Sequence, residues 1–304
     1  MTYALEFTGD PRAFLQRAGA LLQADPVLTT VVATSTAGAV EALELGQPEP
    51  DFPRWWLTVV DEATGEPVGV AMRTAPFAPY PLYVLPMPTA AARAVAAALV
   101  ERGEQVSGLN GALPAAEELG AELARRTGRT SRVHEHMRLH VLDRLVEPRP
   151  VPDGRPRAAV ASDADLALAW FRAFHADAAA QAGRLESQGE GEQFDEADID
   201  ARISEGRIWL WEDMRGEPVS LVGFNAPRFA VARVGPVYTP GPRRGHGFAS
   251  ALTAHVSRLL RDSGSRVCLF TDQANPTSNK IYAAIGYVPV VDMVNLRITT
   301  PARA

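Results

Sequence analysis

The chain has 304 residues, 46% of them hydrophobic and 22% charged, a balance that supplies packed cores and excludes wholesale disorder. That length suggests about two domains. A net charge of −6 argues against general binding of nucleic acid or an anionic membrane, the single cysteine Cys268 excludes an intramolecular disulfide, and the six histidines have no metal-ligand spacing, so no metal is expected.

Met1 to Leu15 carries Glu6, Asp10 and Arg12 and lacks the apolar core of a signal peptide. No apolar run is long enough to span a bilayer, so the expectation is a soluble cytoplasmic protein without membrane partners. Trp55 to Val60 reads as a strand, Asp61 to Pro67 as a turn, and Val68 to Arg73 as the other arm of a hairpin. Pro81 to Leu85 is a further strand. Thr89 to Glu101, alanine-rich and short, reads as a packed helix, and Pro114 to Thr127 as another. Val133 to Leu142 closes this half as a strand. His134, His136 and His140 share one face of it, but Glu135 points to the other and no thiol is near, so metal ligation is not expected.

Val146 to Arg157 (VEPRPVPDGRPR) holds four prolines and a glycine and is expected to lack regular structure. It divides the chain into a domain at 1–146, a linker at 147–157 and a domain at 158–304. Ser162 can cap a helix running through Leu166 and Trp170 toward Phe174. Ala176 to Ile199 is alanine- and acid-rich, helical in part, with a loop near Gly189 and Gly191; its acidic run from Glu190 to Asp200 reads as a solvated face. Arg207 to Glu212 and Val219 to Phe224 form a hairpin around turn residues at Asp213 to Pro218. Arg233 to Thr239 is a strand that ends in Pro240-Gly241-Pro242. Phe248 to Arg261 has apolar residues at helical spacing (Ala251, Leu252, Val256, Leu259, Leu260), and Gly264 stops it. Val267 to Phe270 is a buried strand in which Cys268 is an inert thiol, Pro276 and Ser278 open a helix ended by Gly286, and Val288 to Ile298 is the last strand. The first half repeats this order of elements, which reads as a diverged internal duplication.

The segment that carries chemistry is Val237 to Ser250 (VYTPGPRRGHGFAS), which joins a strand to a helix through glycines and arginines. Gly245 and Gly247 let backbone amides approach a ligand closely. Those amides open a helix, where they lack internal partners and meet the positive dipole end, so the expected guest is a diphosphate. Arg243 and Arg244 add positive charge, to a phosphate or to the pocket rim.

With these residues the chain resembles the GNAT superfamily of acyl-CoA-dependent N-acetyltransferases. Arg244, Gly247 and Ala249 match its Arg/Gln-x-x-Gly-x-Gly/Ala signature. Downstream, Asn275, the tyrosine seven residues later (Tyr282) and the closing Gly286-Tyr287 match the family's fourth-helix pattern. The close resemblance covers roughly Ile208 to Ile298. It implies two domains of the α/β class (α+β type), each a mixed, mostly antiparallel sheet flanked by helices, with the second splayed where its fourth and fifth strands diverge. It implies acetyl-CoA as cosubstrate and an amine acceptor, a small molecule or a protein. The backbone of Val237, Tyr238 and Thr239 should pair with the pantetheine arm. The amides of Gly245, His246, Gly247, Phe248, Ala249 and Ser250 should hold the pyrophosphate. Asn275 and Ser278 should touch the cofactor near its pantetheine, and Tyr282 should protonate the leaving thiolate. The general base stays open among Glu212, Asp213, His246 and an ordered water. The equivalent segment of the first half, Pro81 to Arg93, has no glycine loop and no arginine before its helix, so that half is expected to be structural.

Two rival readings remain. A dinucleotide-binding dehydrogenase would share the strand, glycine loop, helix and strand. However, Ser250 stands where its third glycine belongs, Pro240 to Arg244 separate strand from loop, and a hairpin precedes the motif. A non-catalytic acyl-CoA-binding or regulatory module would keep the pocket and lose turnover.

Overall fold

The computed structural model describes residues 2–77, 80–181 and 194–300. The expected loop near Gly189 and Gly191, and the first part of the acidic run, lie outside them. The chain forms two compact units: Met1–Arg138 with Val291–Ala304, and Leu139–Val290. The later part of the last strand joins the first unit, and the end of the first half joins the second.

The first unit runs in the order β1 (Tyr3–Thr8), α1 (Pro11–Ala24), α2 (Thr30–Glu44), β2 (Trp55–Asp61), β3 (Pro67–Arg73), β4 (Leu82–Val84), α3 (Thr89–Glu101), β5 (Gly108–Ala112), α4 (Ala115–Thr127) and the first part of β6 (Thr130–Leu142). The strands β1, β2, β3 and β4 are antiparallel neighbours, and β4 to β5 is parallel. Beyond β5 lies the later part of β12 (Tyr287–Thr299), antiparallel to it from Met293↔Ala112 to Arg297↔Gly108. The apolar face of α3 (Ala91, Ala92, Val95, Ala96, Leu99) and that of α4 (Ala115, Ala116, Leu119, Leu123) pack with β2, β4 and β5, and Val294, Leu296 and Ile298 of β12 complete that core. Leu296 seats closely on α4: a Cβ built on Gly120 would lie 2.8 Å from its Cδ1. The neighbouring β6 carries the matching polar groups, with Arg138 on Asp292 at 2.5 Å and Glu135 accepting from Asn295 at 2.6 Å.

The second unit repeats the order: β7 (Arg155–Ala158), α5 (Ala164–Gln181), α6 (Glu196–Ser204), β8 (Ile208–Glu212), β9 (Pro218–Phe224), β10 (Val231–Tyr238), α7 (Phe248–Asp262), β11 (Arg266–Asp272), α8 (Pro276–Ile285) and the start of β12. Here β7, β8, β9 and β10 are antiparallel neighbours and β11 is parallel to β10. The residues of β7 lie where prolines predict no regular structure. Pro156 fits because β7 is the last strand of its sheet, where an absent N–H costs no ladder bond. The amphipathic α7 buries Leu252, Val256 and Leu260 against β9, β10 and β11; each such side chain contributes about 1.5–3 kcal/mol. Cys268 is fully buried in this layer. Both units therefore carry a mostly antiparallel sheet with helices, built on one repeated plan.

Candidate active site

Three features of the second unit converge. The first is a break in the sheet. Strands β10 and β11 pair only over Val231–Arg233 with Arg266–Cys268, although β11 runs on to Asp272. Past that point β10 shifts register against β9 between Val234 and Val237, then continues with Val237↔Val222 and Tyr238↔Leu221. One edge of Val237 and Tyr238 is thus held by β9. Among the described residues no pairing with β11 uses the other, which can accept an extended chain as an added strand.

The second is the glycine loop. Gly245 and Gly247 both take φ +82°, a left-handed conformation that side-chain-bearing residues rarely adopt. Gly247 is the residue before α7 and supplies no side-chain cap. The first bond of the helix runs from the Ala251 amide to the Gly247 carbonyl. The amides of Phe248, Ala249 and Ser250 precede it and have no acceptor in the helix, as at any helix start. The exposed residues 241–247 lead into this helix start, and the three donors lie at the positive end of a four-turn helix.

The third is α8. Asn275 caps it by accepting from the Ser278 amide at 3.1 Å, and Asn279 donates to the Asp272 carbonyl at 3.0 Å, fixing the turn out of β11. Tyr282 lies one turn before the helix end, half-buried, with its ring 6.0 Å from that of Tyr287. Burial raises the Tyr282 phenol above its ordinary range near 10. Tyr287 is raised by the same cause, and its hydroxyl meets Ser257 Oγ at 2.7 Å. Val237, Phe248, Ile281 and Tyr282 border one apolar cluster, so the break, the loop and the tyrosine surround a single core.

The predicted arginines are engaged within the chain. Arg244 donates from Nε to the Thr239 carbonyl at 2.9 Å and from Nη2 to Asp177 at 2.5 Å. Arg243 lies 3.5 Å from Asp213. His246 stays exposed, its ring 5.8 Å from Phe248. Tyr238 donates its hydroxyl to Asp177 at 3.0 Å and packs on Trp170, while Ser220 Oγ donates to the Tyr238 carbonyl and meets Thr239 Oγ1. Asp177, Trp170 and Ser220 are not site residues in the sequence reading; they lie on α5 and β9, and no spacing links them to the loop.

The candidate bases fare unequally. Glu212 is buried and accepts from Arg157 and Arg155, and Arg157 also binds Asp163. The hydrogen bond from Arg157 holds both carboxyls below their ordinary range. Asp213 is lowered chiefly by the amides of Glu217 and Arg215, which it caps in the β8–β9 turn. Both carboxylates do structural work and are poor proton acceptors. Because the folded values lie below the unfolded ones, the stability that Glu212 and Asp163 contribute is full above about pH 4.5 and is lost as pH falls through the folded values. Thermal unfolding is therefore expected to drop across that acid window in the wild type, and less steeply in Glu212→Gln, which starts from a lower melting temperature; parallel curves would remove Glu212 from the account.

The first unit lacks the break. All of β4 is paired to β5, from Leu82↔Leu109 to Val84↔Gly111, and a Cβ on Gly111 would meet the Val84 carbonyl oxygen at 2.4 Å. Pro88 precedes α3 and offers no amide hydrogen, and Met87 folds down onto β3 beside Gly69.

Comparison with known proteins bears on the fold. Residues 216–295, which span β9 to β12, match the family model described as FR47-like protein. No curated protein matches the chain. A GCN5-related N-acetyltransferase from Sphaerobacter thermophilus is similar over 99% of this chain and 97% of its own, at 17% identity and a TM-score of 0.60. A Drosophila protein is similar over 98% and 99%, at 14% identity and a TM-score of 0.64. A tandem GNAT protein from the clavulanic acid biosynthesis pathway is similar over 99% and 100%, at 15% identity and a TM-score of 0.53. The fold is the one that these solved structures share. Like the tandem GNAT protein, the chain carries two units of one plan, and all but the last five residues of the FR47-like match lie in the second.

Proposed function

We propose that the second unit transfers an acetyl group from acetyl-CoA to a primary amine by direct attack while both substrates are bound. The observation that carries this is the loop at φ +82° whose following helix opens with free amides beside a sheet that opens after Arg233. Free amides and a positive dipole end suit a diphosphate, and the unpaired edge of Val237 and Tyr238 suits the amide-bearing pantetheine arm. Acetyl-CoA supplies an activated thioester. The chain's own role is to hold it at Gly245–Ser250, to polarise its carbonyl by backbone N–H donation, and to meet the departing sulfur with Tyr282.

Tyr282 suits that last role as a hydrogen-bond donor. Its raised pKa keeps it protonated throughout the neutral range. A thiol titrates near about 8.5, so complete proton transfer from a phenol above 10 is uphill, and donation to charge as it builds on sulfur is the favourable component. With Glu212 and Asp213 committed to structural bonds, His246 and an ordered water remain as bases for the amine proton.

Isothermal calorimetry with coenzyme A and free-thiol release from acetyl-CoA across an amine panel test the proposal. Saturable binding with amine-dependent thiol release is expected; binding without release on any amine would favour a non-catalytic acyl-CoA module. Gly247→Asp is expected to weaken coenzyme A binding by about a hundredfold, because like charges brought together cost several kcal/mol. Gly247→Asn, which tolerates the left-handed conformation, separates charge from strain and should lose much less. Equal losses in the two would point to backbone strain alone.

A further inference from the structure

The loop needs more than glycines to present its amides. Residues 241–247 are exposed, and beyond its chain neighbours nothing lies within 4 Å of a Cβ built on Gly245, so packing does little to hold it. Its firmest tie is polar. One carboxylate oxygen, Asp177 Oδ2, accepts from Arg244 Nη2 at 2.5 Å and from Tyr238 OH at 3.0 Å. Arg244 returns to the Thr239 carbonyl, and Thr239 meets Ser220, which donates to Tyr238. The ring of bonds thus closes on the end of β10, where the sheet opens. The Tyr238 phenol is raised by burial first and by Asp177 second, so it stays a donor.

The geometry points to Asp177 as a positioning residue for the diphosphate-binding loop: by clamping Arg244 and Tyr238 it fixes the loop on the end of β10. The inference rests on the acyl-CoA reading for its ligand, but the clamp exists in the free protein and is measurable there. It also reassigns Arg244. An arginine held by Asp177 and by a backbone carbonyl acts on the loop's shape, where one reaching for phosphate would be pulled off by the carboxylate.

These alternatives predict opposite signs for Asp177→Asn. If the pair positions the loop, the substitution loosens it and coenzyme A binds about fivefold more weakly, the scale of one half-exposed ion pair. If Asp177 merely competes with phosphate for Arg244, the substitution frees the arginine, removes a negative charge and tightens binding, which overturns the inference. Arg244→Gln should weaken binding too, and the double variant should be no weaker than the worse single one; additive losses would mean that the two residues act separately. Hydrogen exchange without ligand judges the clamp itself. The hydrogen-bonded amides that flank the loop, Arg244 on the Gly241 carbonyl and Ala251 on the Gly247 carbonyl, should exchange about fivefold faster in Asp177→Asn, on the same scale, with β9 and β11 unchanged. Asp177→Glu should restore some of the protection. Unchanged exchange in that loop overturns the inference whether or not the wild type binds coenzyme A, whereas protected amides with no binding by the wild type would sink the acyl-CoA reading alone.

Discussion

Tyr282→Phe is expected to lower kcat by about a hundredfold, the scale of removing one donor aimed at developing charge. Affinity for coenzyme A should stay within about twofold, because the interaction is made only as the sulfur leaves. The substitution keeps the ring that packs beside Tyr287 and on the apolar cluster, so folding is not at issue. The pH profile adds a second check. With the phenol raised above its ordinary range, wild-type turnover should show no loss from tyrosine ionisation up to about pH 10. A variant that turns over at the wild-type rate would remove Tyr282 from the mechanism.

Deleting residues 291–304 should unfold the first unit, although the deletion lies at the far end of the chain. The lost strand segment contributes Met293, Val294, Leu296 and Ile298, all buried. At about 1.5–3 kcal/mol each, those four account for roughly 6–12 kcal/mol, comparable with the whole stability of a domain at about 5–15 kcal/mol. The ladder to β5 goes as well, along with the Ile298 carbonyl that accepts from Arg129. Limited proteolysis should cut within residues 2–138 of the truncated chain and spare them in the full chain. Equal resistance in both would show that β12 is dispensable to the first unit.

The features that were legible in the sequence are those set by local chemistry. The glycines before α7 and the helical stripe of α7 declare themselves within a few residues, and the structure gives both the local conformation expected. Thr89–Glu101 forms a helix over those same residues, and both hairpins lie where their turn residues predict. What was not legible depends on distant partners. The run Thr29 to Thr36 is rich in β-branched residues, yet α2 is helical there; Thr34 and Thr36 return their hydroxyls to the carbonyls of Thr30 and Val32, and Val32 and Ala33 are buried. Arg155 to Ala158 form β7 despite the prolines, because Glu212 and Trp211 wait opposite. The seat of β12 beside β5 and the clamp from Asp177 to Arg244 join residues far apart in the chain, and nothing in their local spacing announces the pairing. Glu212 shows the reverse problem. It reads as a free acid at a strand end, and two arginines hold it as a structural anion.

The first unit shows what is lost when the break in the sheet is absent. It repeats the order of elements, but β4 stays zipped to β5 along its length, and a proline stands where the second unit has Gly247. On the proposed function, the fold shared by both units binds the ligand in one alone, through the longer run of β11 past its pairing with β10 and the glycines before α7.

The most direct test of the central claim is a crystal structure of the chain grown with coenzyme A. The account predicts diphosphate oxygens within hydrogen-bond distance of the amides between Gly245 and Ser250, with the pantetheine arm along Val237 and Tyr238. Coenzyme A bound elsewhere while this helix start faces only solvent would contradict it.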